Sequence, residues 1–397
     1  MRKHWIDNLR WVTVLLVLLY HVVYFYNNKG VFGGIGGFGE YPEVPQYQDV
    51  LMYILYPWFM PLLFILAGIS ARYSLERHSA RDWFKARTRK LLVPGTLGLL
   101  VFHWMVGYFN TAVAARQGVF DGIPALGRYF IMAVSGIGPL WFIQVLWLLC
   151  LVLLLVRTLD RGDKFWTWCG KANIVWIIML GVLFWAGEQT LVRNPRPQSL
   201  DGLLNLYKPL FYMIPFLLGY FVFSHDEVQA QLGRAWIPLM ACAVVSGGIL
   251  VGTTFGQDNT SPQYLGSPLN CLYGWLMCLA MMGWFKAKFD RTGAFAAYLT
   301  RSSYGIYIVH YLVIASLGYM MKTYTQLPPW SMYAILAIAV FTLSPLLYEA
   351  LHRIPLVRWC VFGEKQKKLE NLQAKAQAVY RVEDSNLSKS IWSAGIA

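Results

Sequence analysis

The sequence is short of charged residues. Only 14% of its 397 residues are Asp, Glu, Lys or Arg, whereas a water-soluble globular domain carries about 25%. Carboxylates are especially few, with 20 acidic side chains against 34 basic ones. This shortage excludes a large water-soluble enzyme and a disordered chain, because both need a well-hydrated surface.

Cysteine is also scarce. The six cysteines lack the spacing of a zinc site, and most of them lie in apolar runs. A secreted domain stapled by disulfides is therefore excluded, and we interpret the thiols as small core side chains. We predict no metal site and no resident cofactor.

Apolar residues are abundant, at 57% of the chain, and 17 Trp and 24 Tyr suit a protein with two membrane interfaces. Segments of about 20 apolar residues are long enough to span a bilayer. The predicted fold class is an all-α polytopic membrane protein, a bundle of about ten transmembrane helices. Segment 124–137 is too short to span, and we predict that it lies at the interface. The ten predicted spans are 10–27, 51–71, 91–110, 138–156, 172–188, 206–224, 236–254, 267–285, 303–321 and 331–351.

The basic residues are distributed unevenly between the loops. The net charge of +14 is typical of a nucleic-acid-binding protein, but in an apolar chain it indicates basic loops on one side of a membrane. With ten spans, 27 of the 34 Lys and Arg residues fall on the side of both termini. We therefore predict that both termini are cytoplasmic and that nucleic acid is not a partner. The predicted domains are a transmembrane domain at 5–363 and a polar cytoplasmic tail at 364–397.

Ionisable residues inside the predicted spans are candidates for function. Such a side chain costs roughly 2.5–3.5 kcal/mol at the centre of a spanning helix. Arg10 and His21 are eleven residues apart, which places them within about 20° on one helix face and roughly 16 Å apart in rise. Asp7, one turn earlier, is expected to orient Arg10. The alternative is that Arg10 anchors the helix at the membrane surface and His21 is a hydrogen-bonded packing residue.

Ser303, Tyr307 and His310 form a polar stripe on the ninth predicted span. A stripe of this kind faces the bundle interior or a wet cavity, although hydrogen bonding between helices would also explain it. A second cluster is the basic run between the second and third spans, which suits a polyanionic ligand. Topogenic charge or contact with anionic lipid is the alternative explanation. The run comprises Arg72, Arg77, Arg81, Lys85, Arg87, Arg89 and Lys90.

The first and ninth spans resemble those of the membrane acyltransferase-3 family. Residues 5–10 end in Arg10, and His21 follows after ten intervening residues, which is the family's first-helix pattern. Residues 302–310 are similar to its late helix and end in His310.

Two further motifs extend the resemblance over 5–363. Residues 140–143, which include Trp141, are similar to the family's middle-helix motif. Residues 87–94 resemble its basic third-helix motif, but the paired arginines of the family appear here as Arg87 and Lys90, with Arg89 beside them. The end of the domain, near 348–355, is most similar to the branch with glucan-modifying members.

The resemblance implies transfer of an acyl group, usually acetyl, from cytoplasmic acyl-CoA to a carbohydrate hydroxyl at the outer face. His21 is the implied general base, because an imidazole titrates near neutral pH, and His310 is a second base or an orienting group. Arg10, Arg87 and Lys90 are expected to contact the CoA phosphates or polarise the thioester. The other implied substrate-binding residues are Asp7, Arg89, Trp141, Ser303 and Tyr307.

The expected partners are acyl-CoA, a glycan acceptor and the bilayer, and the expected location is the inner (plasma) membrane. Glu188 is a candidate carboxylate near the acceptor. The main alternative function is a secondary transporter or flippase for a glycan, lipid or organic anion. Buried histidines suit proton-coupled transport, but the chain shows no clear internal repeat and few buried carboxylates. A non-catalytic subunit for glycan assembly is a third alternative.

Overall fold

The computed structural model describes residues 3–27, 34–38, 46–116, 118–192 and 207–364. Every extended element within these ranges is helical, and no strand occurs in them. Most of the predicted cytoplasmic tail lies outside the described residues.

The α-helices are α1 His4–Phe25, α2 Val50–Leu75, α3 Ala80–Arg87, α4 Val93–Gly98, α5 Trp104–Arg116, α6 Ala125–Ser135, α7 Trp141–Leu159, α8 Lys164–Cys169, α9 Ile174–Met179, α10 Gly181–Gly187, α11 Pro209–Phe221, α12 Asp226–Thr254, α13 Pro262–Leu265, α14 Pro268–Lys288, α15 Ala294–Tyr324, α16 Pro329–His352 and α17 Pro355–Phe362.

Each of the ten predicted spans overlaps at least one helix, which confirms a helical multi-pass membrane protein. Eight helical segments are long and apolar enough to cross a bilayer. The segments containing α11 and α14 are not among these eight, so the count of ten stays a prediction, as does the cytoplasmic position of the termini. The eight are His4–Phe25, Tyr47–Leu75, Ala80–Ala112, Gly138–Leu159, Ile174–Leu191, Asp226–Thr254, Ala294–Tyr324 and Pro329–His352.

Helix α1 lies inside the bundle, against α2, α14, α15 and α16. Its leucine- and valine-rich sequence has no Gly or Pro to break the helix. We call the side of the bundle that carries Lys3 the N-terminal face and the side that carries Phe25 the opposite face. Antiparallel neighbours therefore bring the end of α2 and the start of α15 to the N-terminal face.

The third predicted span is longer and less regular than expected. It begins at α3, where the Ser79 hydroxyl accepts a hydrogen bond from the Asp82 backbone N–H at 3.1 Å and so caps the helix. Two π-helical stretches, Thr88–Leu92 and Leu99–His103, interrupt the path to α5. Such π-bulges occur often at functional sites.

Segment 124–137 forms the short helix α6, which is too short to span, and its position at the interface stays a prediction. Helix α6 runs antiparallel to α5, and the contact depends on two glycines. A Cβ atom at Gly107 would lie 1.7 Å from the Met132 carbonyl oxygen, and one at Gly136 would lie 1.9 Å from the His103 carbonyl oxygen. Because small residues let helix backbones approach closely, the end of α6 lies beside His103 inside the bundle.

A second close helix pair positions α2, which carries part of the site. A Cβ atom at Gly68 of α2 would lie 2.0 Å from the Phe216 carbonyl oxygen, and one at Gly219 of α11 would lie 2.2 Å from the Ile65 carbonyl oxygen. The backbones of α2 and α11 are thus in direct contact at both positions.

We predict that Gly219→Ala destabilises the detergent-solubilised protein, because the added methyl forces α2 and α11 apart. Overpacking of this kind costs about 1–3 kcal/mol, which corresponds to a fall of at least about 2 °C in the apparent unfolding temperature. Gly248→Ala on α12 is the matched control, because a Cβ atom there meets nothing within 4 Å. Equal unfolding temperatures for the two variants would contradict the predicted contact.

Candidate active site

The centre of the site is a pair of histidines that joins α1 to α15. The His310 Nε2 atom lies 3.1 Å from the His21 Nδ1 atom, and the His310 Nδ1 atom lies 2.6 Å from the Tyr307 carbonyl oxygen. A carbonyl oxygen can only accept, so His310 Nδ1 carries a proton and its Nε2 accepts from the Nδ1–H of His21. This arrangement leaves the lone pair of neutral His21 on Nε2, where a general base needs it.

Aromatic rings surround His21. The ring of Tyr311 is 5.2 Å away between centroids, that of Tyr20 is 5.5 Å away and that of Tyr24 is 5.9 Å away. All three rings are close to perpendicular to the imidazole. His310 is completely buried, whereas His21 is partly exposed although it lies deep in α1. There is therefore open space beside His21, the one of the two imidazoles that a substrate can reach.

The polar stripe on α15 faces the bundle interior, as predicted. Ser303 and Tyr307 are both buried, with exposed fractions of 5% and 4%. The Tyr307 hydroxyl donates a hydrogen bond to the carbonyl oxygen of Pro139, just before α7. Trp141 begins α7, and its ring lies 5.4 Å from that of Tyr212 on α11. The late-helix and middle-helix motifs therefore meet in the structure.

Arg10 lies at the edge of a cavity that opens at the N-terminal face. Its Nη1 atom is 3.1 Å from the Asp7 Oδ1 atom, which confirms the expected pairing, and its Nη2 atom donates to the Ser70 hydroxyl at 2.6 Å. The cavity has a volume of about 1230 Å³. Its lining carries both signs of charge. The cations are Lys3, Arg10, Arg77 and Lys171, the carboxylates are Asp7, Glu76, Asp226 and Glu227, and the histidines are His78 and His225.

Arg72 does not line the cavity, but it packs against Trp166, which does. Its guanidinium binds Asp163 through two hydrogen bonds of 2.8 and 3.0 Å, which lower the pKa of the Asp163 carboxyl. The guanidinium also lies 3.9 Å from the centre of the Trp166 ring, and the His225 ring stacks on Trp166 at 4.0 Å. The sequence analysis missed Trp166 and His225, because they lie in loop-flanking segments far apart in the chain and belong to no motif.

The cluster at Arg87, Arg89 and Lys90 does not line this cavity. The Lys90 Nζ atom lies 2.6 Å from the Glu364 Oε1 atom, and it lies 4.5 Å from the centre of the Tyr304 ring. The expectation that Arg10 and this cluster contact the same phosphates therefore stays a prediction, without support from the cavity at Arg10. The ion pair and the aromatic ring draw the Lys90 side chain toward the segment that follows α17.

His103 is a third buried histidine that the sequence analysis missed. It ends the π-helical stretch Leu99–His103 and is fully buried. Neither ring nitrogen has a hydrogen-bond partner within the part of the chain that the structure describes. His103 could have been identified from its position inside the predicted span 91–110, because ionisable residues are rare in membrane-spanning segments.

Comparison with known proteins gives one family. The family model described as "Acyltransferase domain" matches residues 3–349. The chain is 20% identical over 389 residues to "Glucans biosynthesis protein C" of Escherichia coli O139:H28 (strain E24377A / ETEC), a match that covers 95% of this chain and 98% of the relative. The protein of that name from Escherichia coli (strain K12 / DH10B) is 20% identical over 391 residues, with coverage of 95% and 98%. No solved structure matches.

The family match extends from the start of α1 into the last turn of α16, and it includes the histidine pair, Arg10 and the residues around Tyr307. The chain therefore belongs to the acyltransferase-3 family and is a multi-pass membrane acyltransferase.

Proposed function

We propose that the protein moves an acyl group, acetyl in the simplest case, from acyl-CoA to a hydroxyl of a cell-envelope glycan. The donor binds at the N-terminal face, on the cytoplasmic side of the inner membrane. The observation that carries the proposal is that one face of α1 leads from the cavity at Arg10 to the His21–His310 pair. A glycan acceptor is supported by the relatives, which are named for glucan biosynthesis.

The cavity at the N-terminal face suits the nucleotide part of acyl-CoA. Its volume of about 1230 Å³ exceeds the roughly 300–1,000 Å³ of a typical drug-sized pocket. Arg10, Arg77 and Lys171 supply cations for phosphate groups. Arg10 is already oriented by Asp7 and Ser70, so it loses little conformational freedom on binding.

Arg10 and His21 are too far apart along α1 to act on the same group of the substrate. Eleven residues correspond to a rise of roughly 16 Å, so a thioester placed at His21 is out of reach of Arg10. Val14 and Val17 lie between them on the same helix face, and both are buried. We infer that Arg10 contacts phosphate, and that the acyl-carrying arm displaces side chains packed against Val14 and Val17 to reach the histidines.

His21 then acts on the acceptor hydroxyl. Its Nε2 atom removes the hydroxyl proton as the oxygen attacks the thioester carbonyl. The new C–O bond forms, the C–S bond breaks, and the imidazolium returns the proton to the departing CoA sulfur. His310 accepts the hydrogen bond from His21 Nδ1, and it thereby leaves Nε2 as the basic nitrogen of His21.

We predict that His21→Ala lowers acyl transfer by at least about 100-fold, because general base catalysis contributes roughly 10²–10⁴-fold. The assay uses membranes matched for protein amount and acetyl-CoA labelled in the acetyl group, and it follows CoA release and label in glycan. His4→Ala is the matched control on the same helix, outside the site. Normal acyl transfer by His21→Ala would contradict the assignment of His21 as the general base.

The same assay tests the other classes of function. Background CoA release and no labelled glycan with the wild type would favour the transporter or flippase, or the non-catalytic subunit. Binding of the purified protein to immobilised CoA separates a CoA-dependent enzyme from those two alternatives.

We predict that Arg10→Gln raises the KM for acetyl-CoA about tenfold and leaves the KM for the acceptor nearly unchanged. A hydrogen bond to a charged group contributes about 1.5–3 kcal/mol, so loss of one phosphate contact corresponds to at least that factor. Lys90→Gln is the matched comparison, because Lys90 is a basic residue of the third-helix motif that does not line the cavity. A larger rise in the KM for acetyl-CoA from Lys90→Gln than from Arg10→Gln would indicate that the phosphates bind at the cluster of Arg87, Arg89 and Lys90.

A further inference from the structure

We propose that Glu188 and Lys208, together with Trp141 and Tyr207, bind one uncharged hexose unit of the acceptor. This inference rests on the proposed acyl transfer. The four residues come from α7 and from the segments on either side of residues 193–206, and they lie on the side of the histidine pair away from the Arg10 cavity.

Glu188 carries a buried carboxylate oxygen that lacks a donor. Its exposed fraction is 7%, and Oε2 has no hydrogen-bond partner among the described residues. The Oε1 atom lies 3.6 Å from the Lys208 Nζ atom, which is longer than a hydrogen bond. A buried acceptor without a partner is costly and rare. A sugar hydroxyl is the kind of donor that would satisfy it.

Lys208 is held in an unfavourable backbone conformation. Its φ of 49° and ψ of 43° are left-handed, and it precedes Pro209 at the start of α11. Among the described residues, only Asp163 and Lys208 adopt positive φ without being glycine. Backbone strain of this kind, of order 1–3 kcal/mol, is concentrated at binding sites. Here it places the ammonium, which has three hydrogen-bond donors, next to Glu188.

An aromatic pair includes Tyr207, the residue that precedes Lys208. The rings of Trp141 and Tyr207 are almost parallel, 5° apart in plane and 5.8 Å between centroids. Both side chains remain partly exposed, in contrast with the buried ring of Tyr212 beside them. The apolar C–H face of a hexose packs well on such a ring. A carboxylate, an ammonium and a flat aromatic face together match a neutral sugar, because the ion pair has no net charge to attract an ionic ligand.

A continuous series of rings links this site to the catalytic base. The Lys208 Nζ atom lies 6.0 Å from the centre of the Tyr56 ring, which stacks on Tyr20 at 6.0 Å. Tyr20 in turn contacts His21 at 5.5 Å. A hexose at Glu188 and Lys208 would therefore be part of a glycan whose neighbouring unit lies along the rings toward His21.

The test compares Glu188→Gln with the wild type in two measurements. Glu188→Gln keeps the side-chain volume but removes the charge. We expect the KM for a glucose oligosaccharide to rise about tenfold while the KM for acetyl-CoA stays within twofold. Binding of the oligosaccharide to the purified protein, followed by tryptophan fluorescence, should weaken by the same factor. Lys286→Met is the matched control, because it breaks an ion pair of 3.3 Å with Asp290 at the N-terminal face.

Two outcomes overturn the proposal. One is unchanged oligosaccharide binding and acceptor KM in Glu188→Gln, and the other is an equal rise in both KM values. If Glu188→Gln does not fold, Tyr207→Leu replaces it, since that ring is partly exposed. The proposed function fails separately if the wild type binds the oligosaccharide in a Glu188-dependent manner but transfers no acyl group to it.

Discussion

The hydrogen bond between His21 and His310 is the contact on which the rest of the site depends. It joins two residues that are 289 positions apart in sequence, and it does so inside a largely apolar bundle. The Tyr307 carbonyl fixes the proton of His310 Nδ1, and this fixes the orientation of the whole pair. Because hydrogen bonds are stronger in a low-dielectric interior, the hydrogen-bond network selects which nitrogen is basic.

The two sides of the histidine pair differ in chemistry. Toward the N-terminal face, a wide cavity carries separate cations and carboxylates along its lining, Arg10 and Asp226 among them. Away from it, the rings of Tyr20 and Tyr56 lead to a single buried ion pair with no net charge. The first side therefore offers many charged partners in an open space, and the second offers one paired charge beside aromatic rings.

The sequence predicted the α1 part of the site well, because the helical repeat alone determines which residues share a face. Arg10, His21 and the Asp7 pairing follow from spacing within one helix. The interior stripe of α15 follows in the same way. Spacing could not reveal that Lys90 pairs with Glu364. That contact joins residues 274 positions apart, and many partners of opposite charge were available to Lys90.

By itself, the sequence determined a helical membrane protein, its apolar segments and the polar faces of α1 and α15, because hydrophobic length and helical period are local properties. Only the tertiary structure decided that His21 meets His310, that Trp166 and His225 stack beside the donor cavity, and that Glu188 faces Lys208. Close backbone contacts at Gly68 and Gly219 set part of this arrangement. The physical reason is that helix packing depends on shape and small residues at interfaces, which the hydropathy of a single segment does not record.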